Sequence, residues 1–246
     1  MKVVGIIPSR LQSTRLTNKA LIDICGLPMI VHVFKRAEMS SILDDVFVAT
    51  DSTEIRDVVK QNNGNVLMTS GKHCTGTDRI AEAARLIEAD IIVNIQGDEP
   101  LLNPSHIEKV VEPLLHDSNI NIAALITPYK KKNSTSDIKA VVDLNYDILY
   151  CSRSDLPSDA RKRADAMWKM CFIIPFKKEF LFEYSSWSQT PLEKIEFNEY
   201  LRVLEHGYKI KAVPVENAHI SVDTTQDLKL VKKLMSIDNI KKSYMG

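Results

Sequence analysis

Residues 2–19, KVVGIIPSRLQSTRLTNK, decide the fold that we predict for this chain. The segment opens on an apolar run from Val3 to Ile7 that is rich in β-branched residues and has no polar alternation. A run of this kind indicates a parallel strand buried on both faces of a sheet. Ligands of open α/β sheets bind beyond the carboxyl ends of the strands. The loop that begins at Pro8 is therefore the first place to look for chemistry.

This loop is strongly cationic. Arg10, Arg15 and Lys19 lie within ten residues of one another, with the hydroxyls of Ser13 and Thr14 between them. Like charges held this close repel one another unless anions accompany them, and a phosphate chain supplies such anions. A solvated basic loop is the alternative that the residues alone leave open.

Beyond this loop, apolar runs alternate with segments of helical periodicity. We predict strands at 45–51, 66–68, 91–95 and 122–126, and helices at 28–37, 53–62, 77–88 and 104–115. This order predicts a parallel sheet covered by helices on both faces. The predicted fold class is α/β, a Rossmann-like three-layer α/β/α sandwich with a mostly parallel sheet and a small β arm or lobe.

The sequence pattern changes from about residue 140, where the apolar runs become shorter. Shorter strands at 141–143 and 148–153 predict the arm, followed by a strand at 172–176, an amphipathic helix at 191–206, a strand at 209–215 and a closing helix at 225–235. We expect one domain over residues 1–246. Its nucleotide-binding core would be 1–137 and 208–246, and its acceptor-binding and dimerisation lobe about 138–207.

Composition narrows the class of protein. Lys+Arg and Asp+Glu both number 32 in 246 residues, so nothing predicts long-range attraction to nucleic acid or to a membrane surface. The four cysteines form no CxxC pair, which argues against a zinc site or a disulfide framework and for free thiols in a reducing compartment. No apolar run approaches the ~20 residues of a membrane span. We expect a cytoplasmic protein.

Carboxylates follow two predicted strands. Asp98 lies in Q-G-D-E-P just past the strand at 91–95, and Asp223 lies in V-D-T-T-Q-D-L before the last helix. Taken alone, Asp98 is a turn or helix-cap residue, and Asp223 or Thr225 an N-cap.

Residues 75–79, T-G-T-D-R, open a helix and offer backbone N–H groups and a hydroxyl to a ligand. Their alternative is a plain N-cap with Arg79 on a solvent face.

These motifs resemble, in order and spacing, those of the sugar-acid cytidylyltransferases, above all the CMP-KDO synthetases (KDO is 3-deoxy-manno-octulosonate). P-S-R-L-Q-S-T-R-L-T-N-K is similar to the family's P-x-R-x-x-S-x-R-L-x-x-K signature, and residues 191–207 add a further match. The resemblance spans residues 2–228. It implies transfer of CMP from CTP to an acidic sugar with release of pyrophosphate, dependence on Mg²⁺, a homodimer formed through the arm around 148–153, and a place in lipopolysaccharide biosynthesis.

The resemblance also implies roles for individual residues. Catalytic roles fall to Arg10, Arg15, Lys19 and Asp98. The three cations would neutralise phosphate charge together with the metal, which Asp98 and Asp223 would hold. Nucleotide contacts fall to Pro8, Ser9, Arg10, Ser13, Lys19, Thr75, Gly76, Thr77, Arg79, Gln96, Gly97 and Lys139. Acceptor contacts fall to Arg15, Arg153, Glu199 and Tyr200. Without the resemblance, Lys139 and Arg153 would pass as surface charges. Asn18 stands where the family has a glycine, and asparagine still tolerates a positive φ.

Departures from the family pattern concern the acceptor. Met170, Phe172, Ile174 and Tyr200 stand where the family has histidine, glycine, tyrosine and glutamine. A pocket that loses hydrogen-bonding partners changes which ligand it tolerates, so we expect a more apolar acceptor pocket in which KDO is a poor substrate. Two alternatives stay open: a cytidylyltransferase for another acid, such as a modified sugar acid or a phosphonate, and an inactive nucleotide-binding homologue.

Overall fold

The computed structural model describes residues 1–11, 16–73, 75–158, 160–162, 165–217 and 219–245. The chain forms two compact units. Unit 1 comprises Met1–Glu108 and His219–Gly246, and unit 2 comprises Lys109–Ala218. The sequence-based division into core and lobe follows expected function rather than compactness, and it stays a prediction.

The described part of the chain contains strands and helices in the alternating order expected of an α/β fold. The strands are β1 (Val3–Ser9), β2 (Asp23–Ile24), β3 (Leu27–Pro28), β4 (Asp45–Thr50), β5 (Asn65–Met68), β6 (Ile91–Ile95), β7 (Ala123–Tyr129), β8 (Lys139–Val142), β9 (Ile148–Ser152), β10 (Met167–Cys171), β11 (Ile173–Lys177) and β12 (Lys211–Pro214). The helices are α1 (Met29–Glu38), α2 (Thr53–Gln61), α3 (Gly76–Ala84), α4 (Pro104–His116), α5 (Lys178–Ser186), α6 (Pro191–Glu196), α7 (Leu201–Glu205), α8 (Thr225–Ser236) and α9 (Asn239–Met245).

Unit 1 is built on parallel strands in the order β6-β1-β4-β5. The central strand β1 pairs on both sides, so that Ile6 faces Phe47 in β4 and Asn94 in β6. Its Val3, Val4, Ile6 and Ile7 are buried, as the unbroken apolar run predicts. Helices α1, α2 and α3 pack against these strands. The prediction of a mostly parallel sheet covered by helices is confirmed.

Unit 2 contains a second, mixed sheet in the order β12-β7-β10-β8-β9. Strands β12 and β7 are parallel, whereas β7, β10, β8 and β9 pair antiparallel. The predicted arm exists as the β8–β9 hairpin, but the lobe is larger than a hairpin. Strand β10 escaped prediction because Met167–Cys171 runs directly into β11, and only one strand was recognised there.

The predicted helix over 191–206 is wrong as one continuous element. It is broken between α6 and α7 at Phe197, which has φ 49°. The Arg202 guanidinium contacts the Glu193 carboxylate at 2.6 and 2.8 Å. In one straight helix nine residues would separate the two by about 13.5 Å along the axis. The break brings these two buried side chains together. The amphipathic segment therefore forms two short helices, α6 and α7, instead of one long helix.

Among the residues that the structure describes, no helix has the length and apolar character needed to cross a bilayer.

Candidate active site

Three charged side chains from distant parts of unit 1 meet at one point, which we call the acid–lysine centre. The Lys19 ammonium donates to Asp98 Oδ2 at 2.7 Å and to Asp223 Oδ1 at 3.1 Å. Lys19 is largely enclosed, with 15% of its side-chain surface exposed, whereas Asp98 and Asp223 keep 32% and 35%. A cation shared by two partly exposed carboxylates can exchange partners with an incoming charged ligand.

Backbone features place each member of the acid–lysine centre. Lys19 begins a single 3₁₀ turn, and Asn18 before it has a left-handed backbone with φ 51°, as expected for asparagine in place of glycine. Asp98 follows β6, and its carbonyl oxygen accepts from Val222 N–H at 2.9 Å. This bond joins the turn after β6 to the segment that carries Asp223.

Neither of the two N-cap alternatives for this segment is correct. The N-cap of α8 is Thr224, whose side chain accepts from Asp227 N–H in a capping box. Asp223 therefore lies one residue before the cap, and Thr225 is the first helical residue. The Asp223 carboxylate turns to Lys19 instead of capping the helix.

Electrostatics in this centre favour a cation. Enclosure by the surrounding protein raises the pKa of the Asp98 carboxyl, and the neighbouring charges of Glu99 and Asp223 add to the rise, while Lys19 opposes it. A carboxylate crowded in this way is stabilised by positive charge. The two acids are therefore poised to share a cation.

The residues present fit a Mg²⁺ site that substrate phosphates would complete. Asp98 and Asp223 already converge on one cation, the Lys19 ammonium. Within the described ranges, no group of three or more His, Cys, Asp or Glu side chains is gathered as a metal cage. Two carboxylates plus substrate phosphates are the donor set that Mg²⁺ uses in nucleotide enzymes, in preference to an all-protein cage.

The structure decides the capping role of the segment at 75–79, and its predicted contact with nucleotide stays a prediction. Thr75 is the N-cap of α3 in a capping box with Asp78, so the capping alternative is correct. Arg79 is not on a solvent face: it is 5% exposed, donates to Thr69 Oγ1 at 2.6 Å and pairs with Asp51 at 3.2 Å. Thr69 and Asp51 thus hold the buried guanidinium near the start of the helix.

A cavity of about 400 Å³ adjoins this segment. Two of the predicted nucleotide-binding cations, Arg10 and Arg79, line it, together with Leu11, Asp51, Ser52, Thr53, Glu54, Gly71 and His73. A volume in this range suits a nucleoside-sized ligand. Sequence reasoning missed the wall formed by residues 51–54, although Asp51 follows the carboxyl end of β4 and the strand-end rule applied to β1 would have found it.

Other predicted nucleotide-binding residues lie near the carboxyl ends of β1 and β6 and at the start of α3. A Cβ on Gly97 would lie 3.1 Å from the Pro8 carbonyl oxygen, so close packing of the protein on itself is what requires glycine at that position. Gln96 donates to Asn94 Oδ1, whose amide reaches the buried Thr77 hydroxyl at 3.5 Å. Ser9 is buried at the end of β1, and Gly76 packs beside Pro8. Ser13 and Arg15 lie outside the described residues.

Lys139 in unit 2 is buried rather than superficial. Its ammonium donates to the carbonyl oxygens of Ser134, at 2.5 Å, of Asp137, at 2.9 Å, and of Arg153. The three N–H groups of Lys139 thus end on backbone oxygens of its own unit. Its predicted contact with nucleotide stays a prediction.

Arg153 is held in the same way. Its guanidinium donates to the carbonyl oxygens of Glu196, Phe197, Thr135 and Ser136. Its backbone N–H donates to the Glu196 carboxylate at 2.9 Å. The contacts tie the loop before β8 to the junction of α6 and α7, so the observed role of Arg153 is to hold these two segments together.

The predicted acceptor residues Glu199 and Tyr200 precede α7 and lie in or near the interior of unit 2. Tyr200 is 2% exposed and stacks on Phe172 with 5.9 Å between ring centroids. Met170 and Ile174 have no exposed surface. Glu199 accepts from the Tyr184 hydroxyl through its carbonyl oxygen at 3.0 Å. The apolar residues that distinguish this chain from the family pattern therefore include three core side chains.

Comparison with known proteins bears on the whole chain. The family model described as Cytidylyltransferase matches residues 4–210. The 3-deoxy-manno-octulosonate cytidylyltransferase of Geobacter metallireducens is 41% identical over 249 residues, covering 95% of this chain and 98% of that protein. The enzyme of the same name from Geotalea uraniireducens is 42% identical over 245 residues, covering 94% and 98%.

A solved structure gives the same picture in three dimensions. The structure of CMP:2-keto-3-deoxy-manno-octonic acid synthetase complexed with CTP superposes with a TM-score of 0.93 at 34% identity, over 96% of this chain and 99% of that one.

Proposed function

The chain belongs to the cytidylyltransferase family, and from that membership we propose that it transfers CMP from CTP to KDO or a KDO-like sugar acid. In this reaction an acceptor hydroxyl oxygen forms a bond to the α-phosphorus of CTP. The bond from the α-phosphorus to the oxygen that bridges to the β-phosphate breaks, pyrophosphate leaves with the electron pair, and the hydroxyl proton passes to solvent. The observation that carries the proposal is the acid–lysine centre.

The chain's own residues would act by positioning and by charge. Lys19 is already held between two carboxylates and can turn its ammonium to a phosphate oxygen when a cation takes its place. Arg10 and Arg79 line the cavity that we assign to the cytidine half of CTP. Transfer to an α-phosphorus needs alignment and charge neutralisation rather than a protein nucleophile.

Asp98 and Asp223 would hold Mg²⁺. When bound, the ion would supply Lewis-acid polarisation of the phosphate oxygens and neutralise the charge that develops on pyrophosphate.

KDO is the acceptor that we favour. The curated relatives at 41–42% identity are named for that substrate. The sequence departures carry less weight against it than the residues alone suggested, because Met170, Ile174 and Tyr200 are core residues of unit 2. We propose accordingly that the enzyme serves lipopolysaccharide biosynthesis in the cytoplasm, where CTP is made.

We propose further that the enzyme is a homodimer joined through unit 2. Strand β9 is the last strand of its sheet, and an exposed edge invites pairing with a second copy. Leu149 on this strand is 63% exposed and Phe197 beside its end is 83% exposed. Light scattering after gel filtration would give twice the 27.8 kDa of one chain. A monomer at micromolar concentration would contradict the proposal.

The decisive experiment measures pyrophosphate release. Purified protein is incubated with Mg²⁺ and CTP, UTP or ATP, and with KDO, deoxygenated and amino-substituted sugar acids, or a phosphonate. We expect release with CTP and KDO, and a product whose mass is that of CMP-KDO. Release only with a different acid would change the acceptor, and CTP binding without release for any acid would support the inactive homologue.

A further inference from the structure

The segment that returns to unit 1 at His219 is fastened to the turn after β6 by a set of hydrogen bonds. These are Asn103 N–H to His219 Nε2 at 3.2 Å, His219 Nδ1 to Glu99 at 3.1 Å, Ser221 Oγ to Glu99 at 3.0 Å, and Val222 N–H to the Asp98 carbonyl at 2.9 Å. One end of the set is the residue after Asp98, and the other end is the residue before Asp223. The bonds therefore connect the two carboxylates of the acid–lysine centre through the protein.

The tautomer of the His219 ring follows from its hydrogen-bond partners. A backbone N–H donates to Nε2, so that nitrogen accepts. In a neutral imidazole the other nitrogen then carries the proton, and Nδ1–H donates to the Glu99 carboxylate. Ser221 donates its hydroxyl to the other carboxylate oxygen. The donors from His219 and Ser221 thus lie on different oxygens of the Glu99 carboxylate.

Burial makes the loss of any of these hydrogen bonds costly. The side chains of His219 and Glu99 are 4% and 5% exposed, and the His106 ring lies 4.7 Å from that of His219. A buried carboxylate is costly unless its hydrogen bonds are satisfied. Any displacement of the returning segment from the turn after β6 would strip donors from Glu99, which opposes that displacement.

We infer that Glu99 is a positioning residue that sets the separation of Asp98 and Asp223, and thereby the affinity of the divalent cation. It does so through His219 and Ser221, without contacting the metal itself. This inference rests on the proposed function, because it presupposes that the two acids hold Mg²⁺. Neighbours of this kind, one shell out from the metal ligands, typically change metal affinity about 10–100-fold when altered.

The test uses Mn²⁺ as a spectroscopic probe. Full-length wild-type protein, Glu99→Gln, Ser221→Ala and Glu108→Gln are titrated with Mn²⁺, with CTP present and acceptor acid absent, and free Mn²⁺ is followed by electron paramagnetic resonance. In Glu99→Gln an amide NH₂ must face one of the two fixed donors. We expect its Mn²⁺ dissociation constant to rise about tenfold or more, with a smaller rise in Ser221→Ala.

The Glu108→Gln variant is the matched control. Glu108 accepts from the Ser41 N–H and hydroxyl at 2.9 and 2.8 Å, and Ser41 is not a member of the hydrogen-bond set. Its Mn²⁺ affinity should equal that of the wild type. CTP binding measured in EDTA should be the same in all four proteins, because the cavity at Arg10 and Arg79 is not part of the network.

Each failure is distinguishable. A Glu99→Gln protein with a lower melting temperature but wild-type Mn²⁺ affinity would overturn the inference and make Glu99 an ordinary structural residue. If Glu99→Gln does not fold, an unchanged Mn²⁺ affinity in Ser221→Ala would overturn it equally. Wild-type protein that binds no Mn²⁺ with CTP would overturn the metal centre itself, and the inference with it.

Discussion

Two lysines to which the family resemblance assigns nucleotide contacts are held in different ways. Lys19 in unit 1 ends on two side-chain carboxylates that are each about one-third exposed. Lys139 in unit 2 has no exposed surface and donates its hydrogen bonds to backbone carbonyl oxygens, while the Asp155 carboxylate lies 3.8 Å away, beyond hydrogen-bond distance. Carboxylates can accept a metal ion and release the lysine to a phosphate, whereas backbone carbonyls are fixed by the fold. The nature of the partner thus separates a cation available to a ligand from one that holds the chain together.

The largest expected effect comes from removing one of the two carboxylates that hold Lys19. We expect Asp98→Asn or Asp223→Asn to lower turnover by about 10²–10³-fold or more. The melting temperature should change little, because neutralising one acid relieves its repulsion with the other while Lys19 keeps one partner. Pyrophosphate release and thermal unfolding measure the two quantities. Asp57→Asn, at an exposed carboxylate paired with Arg56, is the control, and near wild-type turnover in either acid variant would remove that residue from the centre.

The second prediction sets the two lysines against each other. Lys19→Met should lower kcat about 100-fold with a stability loss below about 1 kcal/mol, since the pair is partly exposed. Lys139→Met should leave carbonyl oxygens unpaired and lower the free energy of unfolding by about 1–3 kcal/mol, with kcat per folded molecule retained. Urea unfolding and steady-state kinetics on both variants check this. The reverse pattern would show that Lys139 contacts substrate.

The third prediction concerns alkaline pH and unit 2. Burial raises the pKa of the Cys151 thiol from 9.0 to about 12, although the Asn198 amide opposes the rise. The unfolded chain then loses this proton first, so the stability that Cys151 contributes is complete below pH 9 and is lost as pH rises toward 12. Between pH 9 and 10 the loss should be roughly 1 kcal/mol. Urea unfolding across this range should show a shallower slope in Cys151→Ala, and an unchanged slope would contradict the prediction; Cys25→Ala reports what a half-buried thiol contributes.

The smallest effect compares two left-handed residues. Asn18 precedes Lys19 with φ 51°, and Phe197 follows α6 with φ 49°. Asparagine tolerates this backbone and phenylalanine does not, so Phe197→Gly should raise the unfolding free energy by about 1 kcal/mol, whereas Asn18→Gly should change it by a few tenths. Because Phe197 is 83% exposed, the same variant should weaken the proposed dimer. Chemical unfolding and light scattering measure both; equal effects of the two glycines on stability would contradict the strain argument.

The sequence predicted well what depends on local pattern. The apolar runs identified β1, β4 and β6, and the strand-end rule pointed to the loops where Lys19 and Asp98 lie. The structure also brings Asp223 to the same centre. Periodicity and position along a strand are properties of short segments, and they were sufficient for these elements.

What escaped prediction depends on side-chain partners that no periodicity or motif displays. The helix break at Phe197 accompanies the pairing of Glu193 with Arg202, and the periodicity of 191–206 shows neither. The burial of Lys139 follows from carbonyl oxygens at Ser134 and Arg153, which are invisible as a sequence motif because every residue has a carbonyl. From the sequence alone, a buried structural lysine cannot be distinguished from a ligand-binding lysine, because the difference lies in their partners.

The route of the chain through unit 1 also governs when its active centre can exist. Lys19 precedes Asp98 by 79 residues and Asp223 by 204, so the second acid is synthesised 204 − 79 = 125 residues after the first. At a ribosomal rate of about 5–20 residues per second, roughly 6–25 s separate the two. During that interval a growing polypeptide can carry the parallel strands, Lys19 and Asp98, but no acid pair. Nascent chains and products of premature termination before Asp223 therefore lack the centre. The acid–lysine centre can form only after translation has passed the end of unit 2 and reached Asp223.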